Sequence, residues 1–390
     1  MILNYFKTAW RSLVRFKLTI SVSLFGLFLG VTCFLLLSTY ILNEIRYDRF
    51  HDKADRIVAV NMSYKSPADA DFVSTTLTPT AVVPVAKREF SEVEEAARIY
   101  NYGTREVKVN NVLFTEKDMV IADEGFFRIF SFNFIEGDPG EALKDPYSVV
   151  ITSSTAKKYF GPGPALGKAI IINEDNWKVS GVIEDIPPYS TLQFNILGSY
   201  SSDPRATSEV WNSANDRSYL LLNPASKTQD LQQKIDKYVS SRFSEEFKAG
   251  FKFQLQLQPL TQVHLYSVDS NDNNVIYLYI LSVIAILLLI IACINFTNLM
   301  TAKSSERLRE IGVRKVLGAK RVNLIFQFLT ESAIVNFIAL TLAVIAAHLL
   351  LPSFNNFTGL SIGVGTWQED EFVLFLIFLF TSMTLIAGTW

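Results

Sequence analysis

The sequence predicts a membrane protein with four transmembrane α-helices and a large α+β extracytoplasmic domain inserted between helices 1 and 2. Two observations lead to this class. The chain of 390 residues is 49% apolar yet 19% charged, with a mean hydropathy of +0.23, which indicates a mixture of membrane-spanning and water-soluble parts. Its apolar residues also fall in four runs, and the longest interval between runs, 43–274, has the size of a domain.

The four apolar runs have the length of transmembrane helices. A helix needs about 20 apolar residues to cross roughly 30 Å of hydrocarbon. The predicted spans are 18–42, 275–300, 324–351 and 372–390. The first is longer than the apolar part of a cleaved signal peptide, and no small-residue cleavage site follows it, so we expect a retained signal anchor.

The basic residues predict the orientation of the chain in the membrane. Residues 1–17 carry four basic residues and no acid, and the loop 301–323 carries seven basic residues against two acids. The loop 352–371 has three acids and no basic residue. Because lysine and arginine are enriched in cytoplasmic loops, we expect the N-terminus and 301–323 to be cytoplasmic and 43–274 and 352–371 to lie outside.

The N-terminal stretch 1–17 has the periodicity of an amphipathic helix. Phe6, Trp10 and Leu13 fall on one face, and Lys7 and Arg11 fall on another. This pattern is typical of a helix lying in the lipid headgroup layer. The alternative is that the stretch extends the first span as a charged flank.

The segment 43–274 mixes the patterns of strands and helices. Both cysteines, Cys33 and Cys293, lie in apolar runs, so the outer domain contains no disulfide and depends on a packed core. Alternation of apolar and polar residues and runs of β-branched residues predict strands; these are 56–63, 107–113, 148–152, 169–173, 177–183 and 251–259. Helical composition appears in 78–90, 122–130 and 230–247.

The sequence carries no recognisable catalytic centre. The three histidines are far apart and share no spacing with a second metal ligand, so a zinc site is not expected. The stretch GPGPALGKA resembles a phosphate-binding loop, but Pro162 replaces the first glycine and Ala169 replaces the hydroxyl residue. We therefore expect no enzyme activity and no cofactor in this chain, and the net charge of −2 gives no indication of a nucleic-acid partner.

Polar and small residues within the predicted spans indicate helix packing. Glu331 lies near the cytoplasmic start of span 3, where a charge costs less than at mid-membrane, and a basic residue such as Arg314 or Arg321 is its expected partner. Asn295 and Asn298 share one side of span 2 and are expected to form hydrogen bonds between helices. Gly26 and Gly30 form a G-x-x-x-G pattern in span 1, which favours close packing or dimerisation.

The loop 301–323 has the composition of a docking surface. It combines charged residues with apolar residues at helical spacing, and Gly318 is placed to end a helix at its first non-helical position. Two short helices with a glycine break, held at the inner membrane face, would suit a cytosolic partner. The alternative is a solvated, positively charged loop without a partner.

The stretch SERLREIGVRKVLGAKRVNLIFQFLTESAIV resembles the inner loop of the MacB/FtsX-type ABC transporter permeases, where a segment R-x-x-E-I-G-[IV]-R-K-x-[LM]-G-A contacts the ATPase subunit. The resemblance implies an ATPase-coupling role for Arg307, Glu310, Ile311, Gly312, Arg314, Lys315, Leu317, Gly318 and Ala319. The stretches YDRFHDKADRI, VVITSSTAKKYFG and GVIEDIPPYSTLQFNIL resemble the outer domain of the same family. The resemblance covers essentially the whole chain.

The family implies a permease half in the bacterial inner membrane with a MacB-like periplasmic core domain. ATP would be bound and hydrolysed by a cytosolic ABC ATPase subunit, and its movement would pass through the membrane helices to the periplasmic domain, a process called mechanotransmission. Expected partners are that ATPase, a second permease half or a second copy, membrane lipid, and a periplasmic adaptor or hydrolase. The chain stops inside the fourth span, so we expect a fragment or the first half of a longer permease.

Three functions remain open on the sequence. The leading one is an ABC permease subunit for export or extraction of a substrate. The second is a non-transporting regulator of a periplasmic cell-wall hydrolase, which would use the same inner loop. The third, a ligand-sensing receptor, needs a signalling module after span 2, where this chain instead returns to the membrane.

Overall fold

The structure is a computed structural model that describes residues 17–268, 274–306, 321–360, 362–363 and 370–388. The chain divides into two compact units, with boundaries at 43/44 and 275/276. One unit contains the long apolar helices and the other contains the sheet, and each is described by itself.

Ten α-helices lie within the described residues. They are α1 Lys17–Ile45, α2 Val82–Glu89, α3 Phe126–Ile129, α4 Ser153–Phe160, α5 Thr228–Arg242, α6 Ser244–Lys248, α7 Leu260–Val263, α8 Asn274–Glu306, α9 Arg321–Thr358 and α10 Asp370–Gly388. Short 3-10 helices occupy Ala54–Arg56 and Tyr200–Ser202.

Twelve β-strands lie within the same described residues. They are β1 Ile57–Lys65, β2 Val73–Thr75, β3 Thr78–Pro79, β4 Val93–Val109, β5 Val112–Ala122, β6 Phe134–Gly137, β7 Ser148–Thr152, β8 Ala169–Ile172, β9 Asp175–Ile183, β10 Ile196–Ser199, β11 Ala214–Leu222 and β12 Lys252–Pro259.

The helical unit has the four apolar helices that the sequence predicts. Within α1, α8 and α9, the segments Leu24–Ile45, Val275–Asn298 and Leu329–Thr358 are long and apolar enough to span a membrane, with mean hydropathies of 2.1, 3.0 and 2.4. The fourth, α10, contains a shorter apolar stretch, Phe372–Leu385. Side chains from all four helices meet in one core, which includes Leu35, Phe296, Ala339 and Leu379.

The outer unit is an α+β domain built on a mixed sheet. Its main path of strands runs β12-β1-β11-β4-β5-β10-β7-β9-β6. Strand β1 is buried on both faces, which explains its nearly continuous apolar sequence. Ile57 and Ala59 pack with Phe126 and the neighbouring core on one face, while Val58 and Val60 pack against the core that includes residues of α2 and α5 on the other.

The first and last long strands of the outer domain are neighbours. β1 and β12 are antiparallel and pair over eight positions, from Val58 with Pro259 to Lys65 with Lys252. The alternation FKFQLQLQP predicts β12 correctly, and the strand runs from 252 to 259. The segment that enters this domain and the segment that leaves it are therefore joined by a continuous ladder of backbone hydrogen bonds.

The predicted strand 107–113 is wrong, because it spans the tip of a hairpin. β4 ends at Val109 and β5 begins at Val112. Asn110 and Asn111 between them both have positive φ, at 48° and 64°. Asparagine tolerates this conformation better than most residues, and two such residues form the tight turn typical of a two-residue hairpin loop.

Two predicted helices are shorter than the composition indicates. In 78–90, the first residues belong to β3 and the helix begins only at Val82. In 122–130, β5 continues through Ala122 and the helix is the single turn Phe126–Ile129. Pairing in the sheet outweighs local helical preference at both starts.

Candidate functional site

The predicted ATPase-coupling residues lie outside the described part of the chain. Helix α8 ends at Glu306 and α9 begins at Arg321, and the segment 307–320 between them contains all nine residues from Arg307 to Ala319. The predicted amphipathic helix 1–17 also falls almost wholly outside the described residues. The role of both segments therefore stays a prediction from the sequence.

Gly26 and Gly30 lie where α1 meets α8. A Cβ atom added at Gly30 would come within 2.5 Å of the Cβ of Ala292, which is too close without a shift of one helix. At Gly26, an added Cβ would lie 3.0 Å from Nδ2 of Asn295. Small residues at these two positions permit the close approach of α1 and α8.

The polar residues of the spans occupy different environments. Glu331 on α9 is buried at 1% exposure, as are its neighbours Ser332 and Asn336. The amide of Asn336 donates a hydrogen bond of 3.2 Å to the hydroxyl of Thr384 on α10. Asn298 is exposed on the surface of its unit.

The outer domain contains a polar cluster that ties its first residues to its last ones. We call Glu44, Tyr47, Asp48, Thr191 and His264 the junction cluster. Nε2 of His264 lies 2.8 Å from Oε2 of Glu44, which belongs to the last turn of α1. The ring of His264 also stacks on Tyr47, with centroids 3.4 Å apart and planes 1° from parallel. Contacts between positions 220 residues apart therefore fix the two chain ends of this domain together.

Asp48 anchors the same region to the loop 189–192. Its carboxylate accepts a hydrogen bond of 2.8 Å from the backbone N–H of Thr191 and a second from the hydroxyl of that residue. Its own backbone N–H donates to the carbonyl of Tyr189 at 3.0 Å. Asp48 has a φ of 59° and is fully buried. Burial raises the pKa of its carboxyl, and the hydrogen bonds from Thr191 oppose that rise.

His51 contacts the aromatic core next to this region. The backbone N–H of Ser131 donates to Nδ1 of His51 at 3.2 Å. Rings of Phe50, Phe130 and Phe132 surround the imidazole. Burial lowers the pKa of His51 to about 4, so the ring is neutral at physiological pH.

Sequence reasoning missed the junction cluster as a site. The sequence pattern excludes a zinc site at the histidines but does not mark Glu44, Asp48 or Thr191 as partners of this region. The stretch YDRFHDKADRI, directly after the first span, was the available signal, since it carries Tyr47, Asp48 and His51. Its partners in 189–192 and 264 are too distant in sequence to infer from one chain.

Models of known protein families match both units of the chain. A model of the MacB-like periplasmic core domain matches residues 21–238. A model of the FtsX-like permease C-terminal domain matches residues 282–390. The first match includes α1 and most of the outer domain, and the second includes most of α8 with α9 and α10.

The names of similar curated proteins combine ATP binding with a permease. The macrolide export ATP-binding/permease protein MacB of Burkholderia thailandensis is 24% identical over 344 residues, which is 85% of this chain and 49% of that protein. The protein of the same name from Hahella chejuensis is 29% identical over 219 residues, covering 54% of this chain and 32% of that protein. The chain thus spans about half the length of the curated relatives that it matches over most of its own length.

Among solved structures, the periplasmic region of MacB from Actinobacillus actinomycetemcomitans covers 53% of this chain and 90% of its own, at 14% identity and a TM-score of 0.38. The family assignment depends on the two family models. Since the first of them alone covers more than half of the sequence, the chain belongs to the MacB/FtsX-type ABC transporter permeases.

Proposed function

We propose that this chain is a permease subunit that transmits an ATP-driven conformational change from a separate cytosolic ATPase to the periplasmic domain, for export or extraction of a substrate. Family membership supports the permease role. ATP would be bound by the partner ATPase, with no cofactor in this chain. The chain would lie in the bacterial inner membrane with its N-terminus in the cytoplasm, beside a second permease half or a second copy.

The junction cluster is the observation that carries this proposal. A domain that receives mechanical work needs a stiff connection to the helix that delivers it. Here the last turn of α1 bears Glu44, which bonds to His264, and eight paired positions of β1 and β12 follow. A displacement at the end of α1 would therefore move the paired strands together rather than bend a loose linker.

The relatives' names connect this type of permease with ATP binding. They combine the two activities in one protein, and this chain spans about half of their length; a separate ATPase subunit is our proposal. The segment 307–320, with Glu310, Gly312 and Arg314, is the proposed contact with the ATPase. Its charge and glycine pattern follow the family's coupling segment.

Two variants of the inner loop test this proposal. Glu310→Lys reverses a charge in the proposed contact, and Gly312→Trp adds bulk there. We expect either change to remove co-purification with the ATPase and ATP-linked activity, while membrane insertion stays intact. Ser305→Ala, just before the motif, is the matched control. Survival of ATPase association in both variants would contradict the coupling assignment.

A non-transporting regulator is the second candidate. The match of residues 282–390 to the FtsX-like permease C-terminal domain is compatible with this candidate and with the first one. The two functions differ in the periplasmic partner, so affinity capture with the full chain in nanodiscs separates them. A cell-wall hydrolase as the captured partner would support regulation, whereas an adaptor or outer-membrane component would support export.

A further inference from the structure

Two cavities of the outer domain meet at one arginine. The larger has a volume of about 780 Å³ and the smaller about 290 Å³. Thr76, Thr191 and Arg217 line both of them, so the two cavities adjoin, and we call them together the Arg217 groove. Its size lies within the range of binding sites for peptides and small ligands.

The groove lies where one face of the sheet changes from apolar to polar. Tyr219 on β11 is buried in the core and pairs with Ala59 on β1. Arg217 lies two residues before Tyr219 and is therefore on the same face. Asn61 is two residues beyond Ala59, and it also lines the smaller cavity. This face is thus covered by core at one end and open and polar at the other.

Among the described residues that line the groove, Arg217 is the one with a permanent positive charge. It is exposed, and its guanidinium makes no ion pair or side-chain hydrogen bond with any residue that the structure describes. The same described lining has one carboxylate, Asp118, and one histidine, His264, and its other polar residues are amides and hydroxyls. The wall therefore offers one fixed cation among neutral donors and acceptors.

We propose that the Arg217 groove binds an extended peptide segment whose carboxylate pairs with Arg217. A guanidinium presents two parallel N–H donors that match the two oxygens of a carboxylate. Asn101 accepts from Gly103 through its amide oxygen, and Gln193 donates to Pro187 and Ser190 through its amide nitrogen. The amide nitrogen of Asn101 can therefore donate to a peptide carbonyl, and the amide oxygen of Gln193 can accept from a peptide N–H. This inference goes beyond the proposed coupling function, because binding in the groove needs neither ATP nor the inner loop.

The lining favours a peptide over a glycan or a lipid. Glycan sites usually offer an open aromatic face, but the ring of Tyr100 is covered by the guanidinium of Arg205, 3.9 Å from its centroid. An acyl chain needs a continuous exposed apolar surface. Ile99, Phe126 and Leu192 in the wall are at most 5% exposed, and among the described lining residues Leu77, at 37%, is the one large apolar side chain that is exposed.

The test measures peptide binding to the full chain in nanodiscs. The probe is a capped hexapeptide of alanine and serine with one glutamate, carrying a neutral fluorophore, and its fluorescence anisotropy is titrated with protein. We expect saturable binding, and a loss of affinity of about tenfold or more when the glutamate is replaced by glutamine, since charge-assisted hydrogen bonds are roughly twice as strong as neutral ones.

Variants of the protein locate the binding. We expect Arg217→Gln to weaken binding of the glutamate peptide to the level of the glutamine peptide, and Arg217→Lys to recover part of it. Arg242→Gln, at an exposed arginine of the same domain outside the groove, should bind normally.

Three results would overturn the proposal: no binding to the wild-type chain, equal binding of the glutamate and glutamine peptides, or competition by chitotetraose, a neutral glycan. The peptide comparison uses the wild-type chain alone, so it decides the matter even if the Arg217 variants fold poorly. Because the assay contains no ATPase, failure of the coupling proposal would leave it unaffected.

Discussion

At the scale of single residues, the outer domain depends on two titratable side chains that are buried directly after the first span. Asp48 is an acid in a left-handed backbone conformation, and its carboxyl group accepts hydrogen bonds from Thr191. His51 is a neutral base among phenylalanine rings. Their opposite chemistries predict different responses to substitution and to pH.

Substitutions of Asp48 should separate its hydrogen bonds from its charge. Asparagine can accept from the Thr191 N–H and donate to its hydroxyl, and it tolerates positive φ. We expect Asp48→Asn to stay within about 1 kcal/mol of wild type at pH 7, whereas Asp48→Ala should lose about 1–3 kcal/mol. The midpoint of thermal unfolding in nanodiscs measures both, with exposed Asp52→Ala as the control. Equal losses for asparagine and alanine would contradict this role.

His51 should make the outer domain less stable as the pH falls. Its pKa is about 4 in the folded domain, against about 6.5 for an unperturbed histidine. The unfolded chain therefore binds more protons between these values, so stability is full above pH 6.5 and declines towards pH 4, by at most about 3 kcal/mol. Unfolding midpoints at pH 7 and pH 5 should differ less in His51→Phe than in wild type. An unchanged pH dependence in that variant would assign the effect to other groups.

At the scale of elements, α1 and α8 approach each other closely within the helical unit. This close approach depends on the absence of a side chain at Gly30, opposite Ala292. Overpacking of such a contact typically costs about 1–3 kcal/mol. The pair can be tested by moving one methyl group from helix to helix.

Gly30→Ala should destabilise the helical unit, and the additional change Ala292→Gly should restore most of the loss. The reason is that the added Cβ at position 30 would overlap the Cβ of Ala292 itself, so removing the Ala292 methyl group relieves the overlap. Thermal unfolding of the single and double variants measures the rescue. Gly163→Ala, where an added Cβ has open space, is the matched control and should be neutral. A double variant as unstable as the single one would exclude this contact as the cause.

Local sequence patterns predict helices and strands better than they predict contacts between residues that are distant in the sequence. The apolar runs gave the four long helices, and the period of two in FKFQLQLQP gave β12, because both patterns reflect burial over consecutive residues. The hairpin at Asn110 and Asn111 was missed because its two turn residues stand inside a run that otherwise alternates like a strand. The pairing of Glu44 with His264 was beyond the sequence, since nothing local marks residues 220 positions apart as neighbours.

At the scale of the whole molecule, the proposed function requires that movement passes from the inner loop to the outer domain. The proposed path begins at the inner loop 307–320, passes through the membrane helices, and reaches the outer domain where Glu44, Tyr47 and His264 tie its two chain ends. Membership of the MacB/FtsX-type permeases supports the general role, and the junction cluster holds the two chain ends of the outer domain together.

Hydrogen–deuterium exchange of the complex with its co-purified ATPase tests this central claim most directly. The complex in nanodiscs is compared without nucleotide and with ATP and vanadate. If movement reaches the outer domain, nucleotide should change exchange in β1, in β12 and in the loop 189–192. A mild variant, Glu310→Gln, should reduce that change in proportion to its loss of ATPase binding. Nucleotide-dependent exchange that is confined to the ATPase and the inner loop, with none in the outer domain, would contradict the claim.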